Sequence, residues 1–352
     1  MNGKKKVQKA YRAILSLLHQ RNLQPGDRLP AQLQLGRELG LCQGTLSGAM
    51  QMLVEDKVLS RRQKSGTVIL HLLPQNPQRR VWTAGIVMPE FSASGYIAAL
   101  TMQLHRELAN RNFSDRTYFI SPQSLPSSEV DVRQPLDFLG LENDLEEGLA
   151  DALLTSTRLS CSDVPCVALG DFPQSKLRVF RDSKYFFESA TRELNSRGIR
   201  HIFVVGATRE EISLVRRTSE EFPHTSKITN IPLLSINEWA AESAAEEFLS
   251  SYPEGESSGL IISDDFFASI FSHSVVQKSR HRPLLCLQSY GGSLLSYSLP
   301  TLKYITDLRA LSATAVDLVL ERLLGVSNLQ SEIRLPLTLK EGGTRILSHL
   351  DS

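Results

Sequence analysis

Two groups of residues near the start of this sequence could do chemistry. The stretch "CQGTLSGAM" (42–50) puts an amide at Gln43 and hydroxyls at Thr45 and Ser47 on one short segment. A glutamine amide can pair with the edge of adenine, and hydroxyls serve a base or a phosphate. Gly44, with no side chain, lets a backbone come close to such a partner. The second group is cationic. Arg61, Arg62 and Lys64 crowd around Gly66 in "VLSRRQKSGTVIL", and Arg37 precedes both groups. Cations of this kind bind phosphates and supply affinity without sequence information. Together they describe a surface for duplex nucleic acid.

Three helices and a hairpin must hold these residues. Tyr11, Ile14, Leu15 and Leu18 fall at i, i+3, i+4 and i+7, which predicts a helix with one buried stripe. "NLQPGDRLP" (22–30) breaks it with Pro25 and Gly26. A second helix is expected over Ala31–Leu39, with Leu35 and Leu39 inward. Gly40 supplies the left-handed corner that follows. A third helix over Gln43–Asp56 has Leu46, Ala49, Met50 and Leu53 as its inner stripe. Val58–Leu70 then reads as a hairpin with a basic tip. That order is a winged helix-turn-helix, whose third helix fits the major groove.

Charge supports this. Residues 1–80 carry 14 Lys and Arg against 4 Asp and Glu, and the rest carries 25 against 34. A head of net +10 on a body of net −9 points to a polyanion partner for the head alone. A solvated basic face remains the plain alternative.

The run "PGDRLPAQLQLGRELGLCQGTLSGAMQMLVEDKVLSRRQKSGTVI" resembles the head of the gluconate-repressor (GntR) family. "GDRLPA", "RELGL", "TL" and "SGT" lie in register with its pattern. The departures are specific. The family usually has arginines where this chain has Leu33, Gln43 and Ser47. The resemblance implies a DNA-binding head with altered sequence preference, and Gly44 and Gly48 weaken its third helix by up to about 1 kcal/mol each. Gly48, like Gly44, could admit a close backbone approach to DNA.

"LLPQNPQRR" (72–80) has no periodicity and reads as an extended linker. The expected domains are therefore 1–71, the linker 72–80, and 81–352. Beyond it, short apolar runs alternate with helical stretches. Strands are expected at Ala84–Pro89, Thr117–Ser121, Asp151–Ser156, Val164–Gly170, His201–Ala207, Gly259–Asp264 and Pro283–Ser289. Helices are expected at 96–111, 184–198 and 312–325. Such alternation predicts doubly wound parallel α/β sheets, which bind ligands at the carboxyl ends of strands.

The order of these pieces resembles the sensor domain of the lactose/galactose-repressor (LacI/GalR) family, related to periplasmic sugar-binding proteins. "AGIVMPEFSASGYIAAL", "DALLTS…DVPCVALGD", "RDSKYFFESATRELNSRGIRHIFVVGA", "GLIISDDFFASIF", "SATAVDLVLERLLG" and "LPLTLKEGGTRI" carry the likeness. A GntR-type head on this body is the arrangement of arabinose-repressor-like regulators. The resemblance implies an effector site with Tyr96, Asp265, Arg216 or Arg217, and Ser289 or Tyr290 in a cleft between two lobes. A carboxylate would accept from paired hydroxyls, and a ring would stack on the apolar face of a sugar. Two readings stay open for Asp265: ligand contact, or a residue that complements a helix dipole. Tyr96 is open between ligand stacking and packing.

Enzyme motifs are sparse. No H-E-x-x-H or G-x-x-x-x-G-K-(S/T) sequence occurs, and "GESSG" (255–259) has the G-x-S-x-G spacing but leads into an expected strand, where a nucleophile elbow must follow one. "SYGGS" (289–293) opens no helix at the spacing a nucleotide loop needs. His201 reads as structural, and "DLEEG" (144–148) as a solvated helix face. Cys42, Cys161, Cys166 and Cys286 form no metal pattern and read as reduced thiols. No secretory leader or membrane span is expected. The expectation is a cytoplasmic, dimeric transcriptional regulator, a repressor without cofactor or metal, with operator DNA and a sugar-like effector as partners. Two alternatives remain: a solute sensor with a degenerate head, and a DNA-binding regulator that needs no effector.

Overall fold

A computed structural model describes residues 2–62, 66–76, 80–89, 95–120, 140–157, 159, 164–224, 226–232, 238–252, 257–326 and 330–342. The head starts with α1 (Asn2–Gln20), followed by α2 (Gln32–Leu39) and α3 (Gln43–Glu55). The expected stripes are the buried ones. Tyr11, Ile14, Leu15 and Leu18 of α1 meet Leu46, Ala49, Met50 and Leu53 of α3, all 0–1% exposed. Each of the leucine, isoleucine and methionine side chains contributes about 1.5–3 kcal/mol of burial. The Tyr11 hydroxyl donates to the buried Asp56 carboxylate at 2.8 Å, which fixes the end of α3 against α1. Gly40 ends α2 at φ 62° and turns the chain into α3. The wing is β1 (Leu59–Arg62) paired antiparallel with β2 (Gly66–Ile69). Arg28 adds an isolated antiparallel bridge to Val68 at the base of this two-stranded wing.

The remainder builds two six-stranded sheets. The first runs in the order β13-β7-β6-β5-β3-β4. Its strands are β3 (Trp82–Pro89), β4 (Phe113–Ile120), β5 (Ala152–Thr155), β6 (Cys166–Ala168), β7 (Leu177–Arg181) and β13 (Glu332–Leu335). Helices α4 (Gly95–Asn110) and α5 (Leu141–Glu146) follow β3 and β4 in the chain. The pairings from β4 through β3, β5 and β6 to β7 are parallel.

The second sheet runs β14-β12-β11-β10-β8-β9. It comprises β8 (His201–Val205), β9 (Lys227–Ile231), β10 (Ser258–Ile262), β11 (Leu284–Tyr290), β12 (Thr301–Thr306) and β14 (Leu337–Gly342). Its helices are α6 (Ser183–Ser196), α7 (Arg209–Ser219), α8 (Glu238–Ser251) and α9 (Asp265–Lys278); α10 (Leu308–Leu323) follows β12 in the chain and from Ser312 belongs with the first sheet. Alternation along β10 and β11 feeds two cores. Leu260, Ile262, Leu285 and Leu287 pack with Phe248, Phe267 and Phe271. Ile261 and Cys286 pack with Phe186, Phe187 and Leu194. Both faces are covered, so these strands read as unbroken apolar runs. Only β14 is antiparallel, on β12.

By compactness the chain forms two units. One contains Met1–Glu90, Leu104–Val179 and Ser312–Ile333, and the other Phe91–Gln103, Phe180–Leu311 and Arg334–Ser352. The head therefore shares a unit with the first sheet. The expected linker is fastened where it is described. The backbone N–H of Gln75 donates to the Asp56 carbonyl at 2.9 Å. Asn112 donates to the Pro74 carbonyl at 2.9 Å, and Pro74 is buried.

Several expectations change. Strands β7, β9 and β12 were not expected. β9 (KITNI) and β7 (LRVFR) mix polar with apolar residues without a regular period and are half-buried along much of their length. The expected single final strand is two. Pro336 cannot donate to a ladder, and the chain changes sheets there, from β13 to β14. Asp144 is no solvated face: it accepts from Tyr118 at 2.7 Å and Arg116 at 2.6 Å, tying α5 to β4.

Candidate functional site

The first surface is the exposed end of α3. Gln43, Gly44 and Ser47 are exposed, and Thr45 is half-buried. α3 starts at Gln43 after Cys42, which has an extended backbone. The Cys42 sulfur lies 3.0 Å from the Thr45 hydroxyl. That contact and the backbone amide of Thr45 hold the exposed thiol below its ordinary pKa. Nothing lies within 4 Å of a Cβ built on Gly44, so this face of the helix is open. Gly48 behaves differently. A Cβ there would sit 3.3 Å from both methyl carbons of Val7. Its smallness admits α1 and not a nucleic acid, which corrects the expectation for it.

The cations sit around this face. Arg37 is exposed on the last turn of α2. Arg61 is exposed on β1 and donates to the Gln32 side chain at 3.1 Å, which ties the wing to the start of α2. Arg62 ends β1 opposite Gly66, whose φ of 82° starts the return strand. Lys64 lies outside the described residues. Arg28, exposed beside β2, is a cation the sequence reading missed. Leu33, standing where an arginine was expected, is 65% exposed on α2.

The second site gathers in the second unit. Tyr96 starts α4, and its ring lies 6.1 Å from the Tyr290 ring, edge-on at 65°. The fit is close, because a Cβ on Gly95 would fall 2.6 Å from the Tyr290 hydroxyl. The Arg181 guanidinium stacks over Tyr96 at 4.6 Å. Burial raises the Tyr96 pKa, and the Arg181 charge opposes the rise.

Asp265 is 2% exposed at the first position of α9. The capping role belongs to its neighbour: Asp264 accepts the Phe267 amide at 2.8 Å. Asp265 instead accepts from the Ser289 hydroxyl at 3.3 Å. Burial pushes its pKa up, and the Asp264 charge adds to this against the pull of the Ser293 and Ser289 hydroxyls. Near it, Lys303 stacks on Tyr297 at 4.5 Å. Burial lowers the Lys303 pKa, against Asp265. The Tyr297 phenol is pushed up to about 12, mainly by burial.

A cavity of about 480 Å³ lies in the same unit. Ala99, Gln103, Gly291, Thr306, Arg309 and Lys340 are among the residues that line it. Ala99 and Gln103 follow Tyr96 on α4 at i+3 and i+7, and Gly291 follows Tyr290, so the cavity adjoins the aromatic pair. Its size suits a small ligand. The Thr306 hydroxyl, fully buried, has no partner among the described residues. Buried polar groups are normally hydrogen-bonded, so this one is available to a polar ligand.

The structure thus brings Tyr96 and Tyr290 together and places Asp265 on the start of α9. It puts Arg216 and Arg217 elsewhere: both are exposed in the last turn of α7. The cation on Tyr96 is Arg181, at the end of a strand that sequence reading did not assign. Strand ends are where ligands bind in such sheets, and that rule applied to 177–181 would have found it. Among the described residues no group of three His, Cys, Asp or Glu could hold a metal, and no helix is long and apolar enough to cross a membrane.

A DNA-reading head on a doubly wound two-sheet body defines the class of protein. Residues 6–69 match the model for "Bacterial regulatory proteins, gntR family", so the head is a gntR-type helix-turn-helix domain. Over 74–84% of the chain the fold is shared with LacI-type regulators and periplasmic solute-binding proteins. The Lac repressor bound to ONPG aligns with TM-score 0.57 at 13% identity, over 84% of this chain and 89% of its own. The Cra transcriptional dual regulator from Pseudomonas putida, in complex with fructose 1-phosphate, aligns with TM-score 0.57 at 16% identity, over 74% and 98%. A periplasmic solute-binding protein from Actinobacillus succinogenes with bound D-allose aligns with TM-score 0.58 at 11% identity, over 74% and 97%. No curated protein sequence matches the chain.

Proposed function

We propose that this protein is a sequence-specific DNA-binding transcriptional regulator, a repressor controlled by a small polyol ligand of the sugar class. The observation that carries the reading is the pairing of two sites in one chain. The head offers an open α3 end flanked by arginines. The body offers a buried carboxylate, Asp265, and an aromatic pair, Tyr96 and Tyr290, beside a cavity. Carboxylates accept from sugar hydroxyls, and aromatic faces cover the apolar side of the ring. Sugars are bound in structurally similar proteins, among them the D-allose and fructose 1-phosphate complexes.

In this mechanism Gln43, Thr45 and Ser47 read base edges or phosphates in the major groove. Arg37, Arg61, Arg62 and Lys64 neutralise phosphates, and the open side of Gly44 and the turn at Gly66 allow close approach. Two copies pair by two-fold symmetry and place two heads on half-sites about one helical turn or a multiple apart. The ligand binds two conformations unequally and so shifts the population that fits the half-sites. The protein works in the cytoplasm, without catalysis, cofactor or metal. A second reading keeps the ligand site and abandons DNA. It is favoured by Leu33, Gln43 and Ser47, which leave the reading surface without three cations.

The test is selection of bound duplexes from a random-sequence pool, followed by salt titration of the winners. A DNA reader yields one consensus and loses affinity steeply as salt rises. Calorimetry with pentoses, hexoses and sugar phosphates then tests the body. No enrichment of any sequence would overturn the DNA reading, and no heat with any sugar would overturn the ligand class.

A further inference from the structure

Helix α1 carries a second stripe that its apolar pattern hides. Arg12, Ser16 and Gln20 fall at i, i+4 and i+8, on the side away from α3. All three reach the first-sheet part of the same unit. Arg12 forms a two-pronged ion pair with Asp151 at 2.6 and 3.0 Å. It also donates twice to the Val81 carbonyl, at 2.9 and 2.5 Å. Asp151 in turn accepts the Thr83 amide at 2.8 Å, so its carboxylate is locked onto the start of β3. The Ser16 hydroxyl donates to the Leu324 carbonyl at 2.7 Å, at the end of α10. Gly325, at φ 81°, follows immediately. A Cβ there would collide with the Gln20 side chain and come within 3.2 Å of the Ser16 hydroxyl. The polypeptide beyond the head adds a second attachment. The Val81 amide donates to the Asn112 carbonyl at 3.1 Å, and Arg80 donates to the Ala109 carbonyl at 3.0 Å.

These bonds are of the strong kind. A guanidinium facing a carboxylate through two parallel bonds is fixed in orientation as well as distance. Arg12 and Asp151 are only 33% and 17% exposed, which limits screening. A head on a free linker would need none of them.

We propose that Arg12, Ser16 and Asp151 are positioning residues for DNA docking: they fix the head to the first-sheet part of its unit, so the reading helix is carried as part of that body. This rests on the DNA-binding reading above. The consequence is a regulator whose half-site geometry is set by the body's own shape and not by the reach of a linker.

The test uses the full chain with spin labels at Gln34→Cys on α2 and Glu142→Cys on α5. Serine replaces Cys42, Cys161 and Cys166. The expected result is one narrow distance distribution, broadened by Arg12→Ala and, independently, by Gly325→Ala, with the circular-dichroism melt of the chain kept. A broad distribution in the unmutated background, or variants as narrow as it, would overturn the proposal. On duplexes selected as above, Arg12→Ala should lose about tenfold in affinity for paired half-sites, the scale of one charge-assisted contact, and nothing for a single half-site. Equal loss on both, or none on either, would also overturn it. If the unmutated chain selects no duplex, the DNA-binding reading fails by itself, and the proposed role of these residues in docking fails with it.

Discussion

The guanidinium carbon of Arg181 lies 4.6 Å from the centre of the Tyr96 ring. Arg181 ends β7 and Tyr96 starts α4, so two distant parts of the chain meet in this contact. The cation sits on the ring's negative face, an attraction of about 0.5–2 kcal/mol that also holds the ring's orientation. Arg181→Ala should therefore weaken binding of the sugar that gives heat with the wild-type chain by about tenfold, the equivalent of roughly 1.4 kcal/mol. Arg217→Ala, on an exposed helix turn, should leave it unchanged. Isothermal titration of the two variants separates them, and the reverse order would remove Arg181 from the site.

Asp265 yields a prediction with a definite sign. Its folded pKa is raised by burial. The ionised form is therefore disfavoured in the folded chain. No penalty exists below the ordinary carboxylate pKa. Stability is lost as pH rises from that value through the raised one, and the loss persists above it. Asp265→Asn should melt higher than wild type at neutral pH, with the gap closing in acid, while sugar binding falls. Melting curves between pH 3 and pH 7, a window of about 4 units spanning the ordinary carboxylate range, check this. A variant that melts lower at neutral pH would contradict it.

Leu33 gives a gain-of-function test. It is 65% exposed on α2, so an arginine fits without repacking. Leu33→Arg should tighten binding to every duplex and steepen the salt dependence by about one unit of log–log slope. Arg61→Ala should do the opposite, and Gln43→Ala should mainly relax the consensus, by about 1–3 kcal/mol at one base position.

The two glycines of α3 should respond unequally. Gly44 faces open space, so Gly44→Ala gains helix propensity, up to about 1 kcal/mol. At Gly48 the added methyl meets Val7 at 3.3 Å, and the gain is reduced or reversed. Chemical denaturation of the two variants distinguishes the cases.

Much of the head was legible in the sequence because its signals are local. The i, i+3, i+4, i+7 stripes of α1 and α3 became the buried faces residue for residue. The sheets were legible where both faces are covered, as in "HIFVVGA" and "GLIISD". They were not where only part of a strand is buried, as in β7 and β9. The site was harder for a different reason. Tyr96, Arg181, Asp265 and Tyr290 are joined by topology, and no spacing in the chain announces that Arg181 meets Tyr96. The polar stripe Arg12–Ser16–Gln20 was hidden because polar residues on a helix read as solvated until a partner surface is known.

The antiparallel strand β14 runs along β12 from Leu337–Thr306 to Gly342–Thr301. It occupies a row of backbone donors and acceptors that a parallel sheet would otherwise leave bare. A chain cut at Pro336 would keep every helix of the second unit and nearly all of its apolar interior. It would also offer β12 to any passing extended peptide, including the same strand of another molecule. The last few described residues thus decide solubility more than they decide the fold.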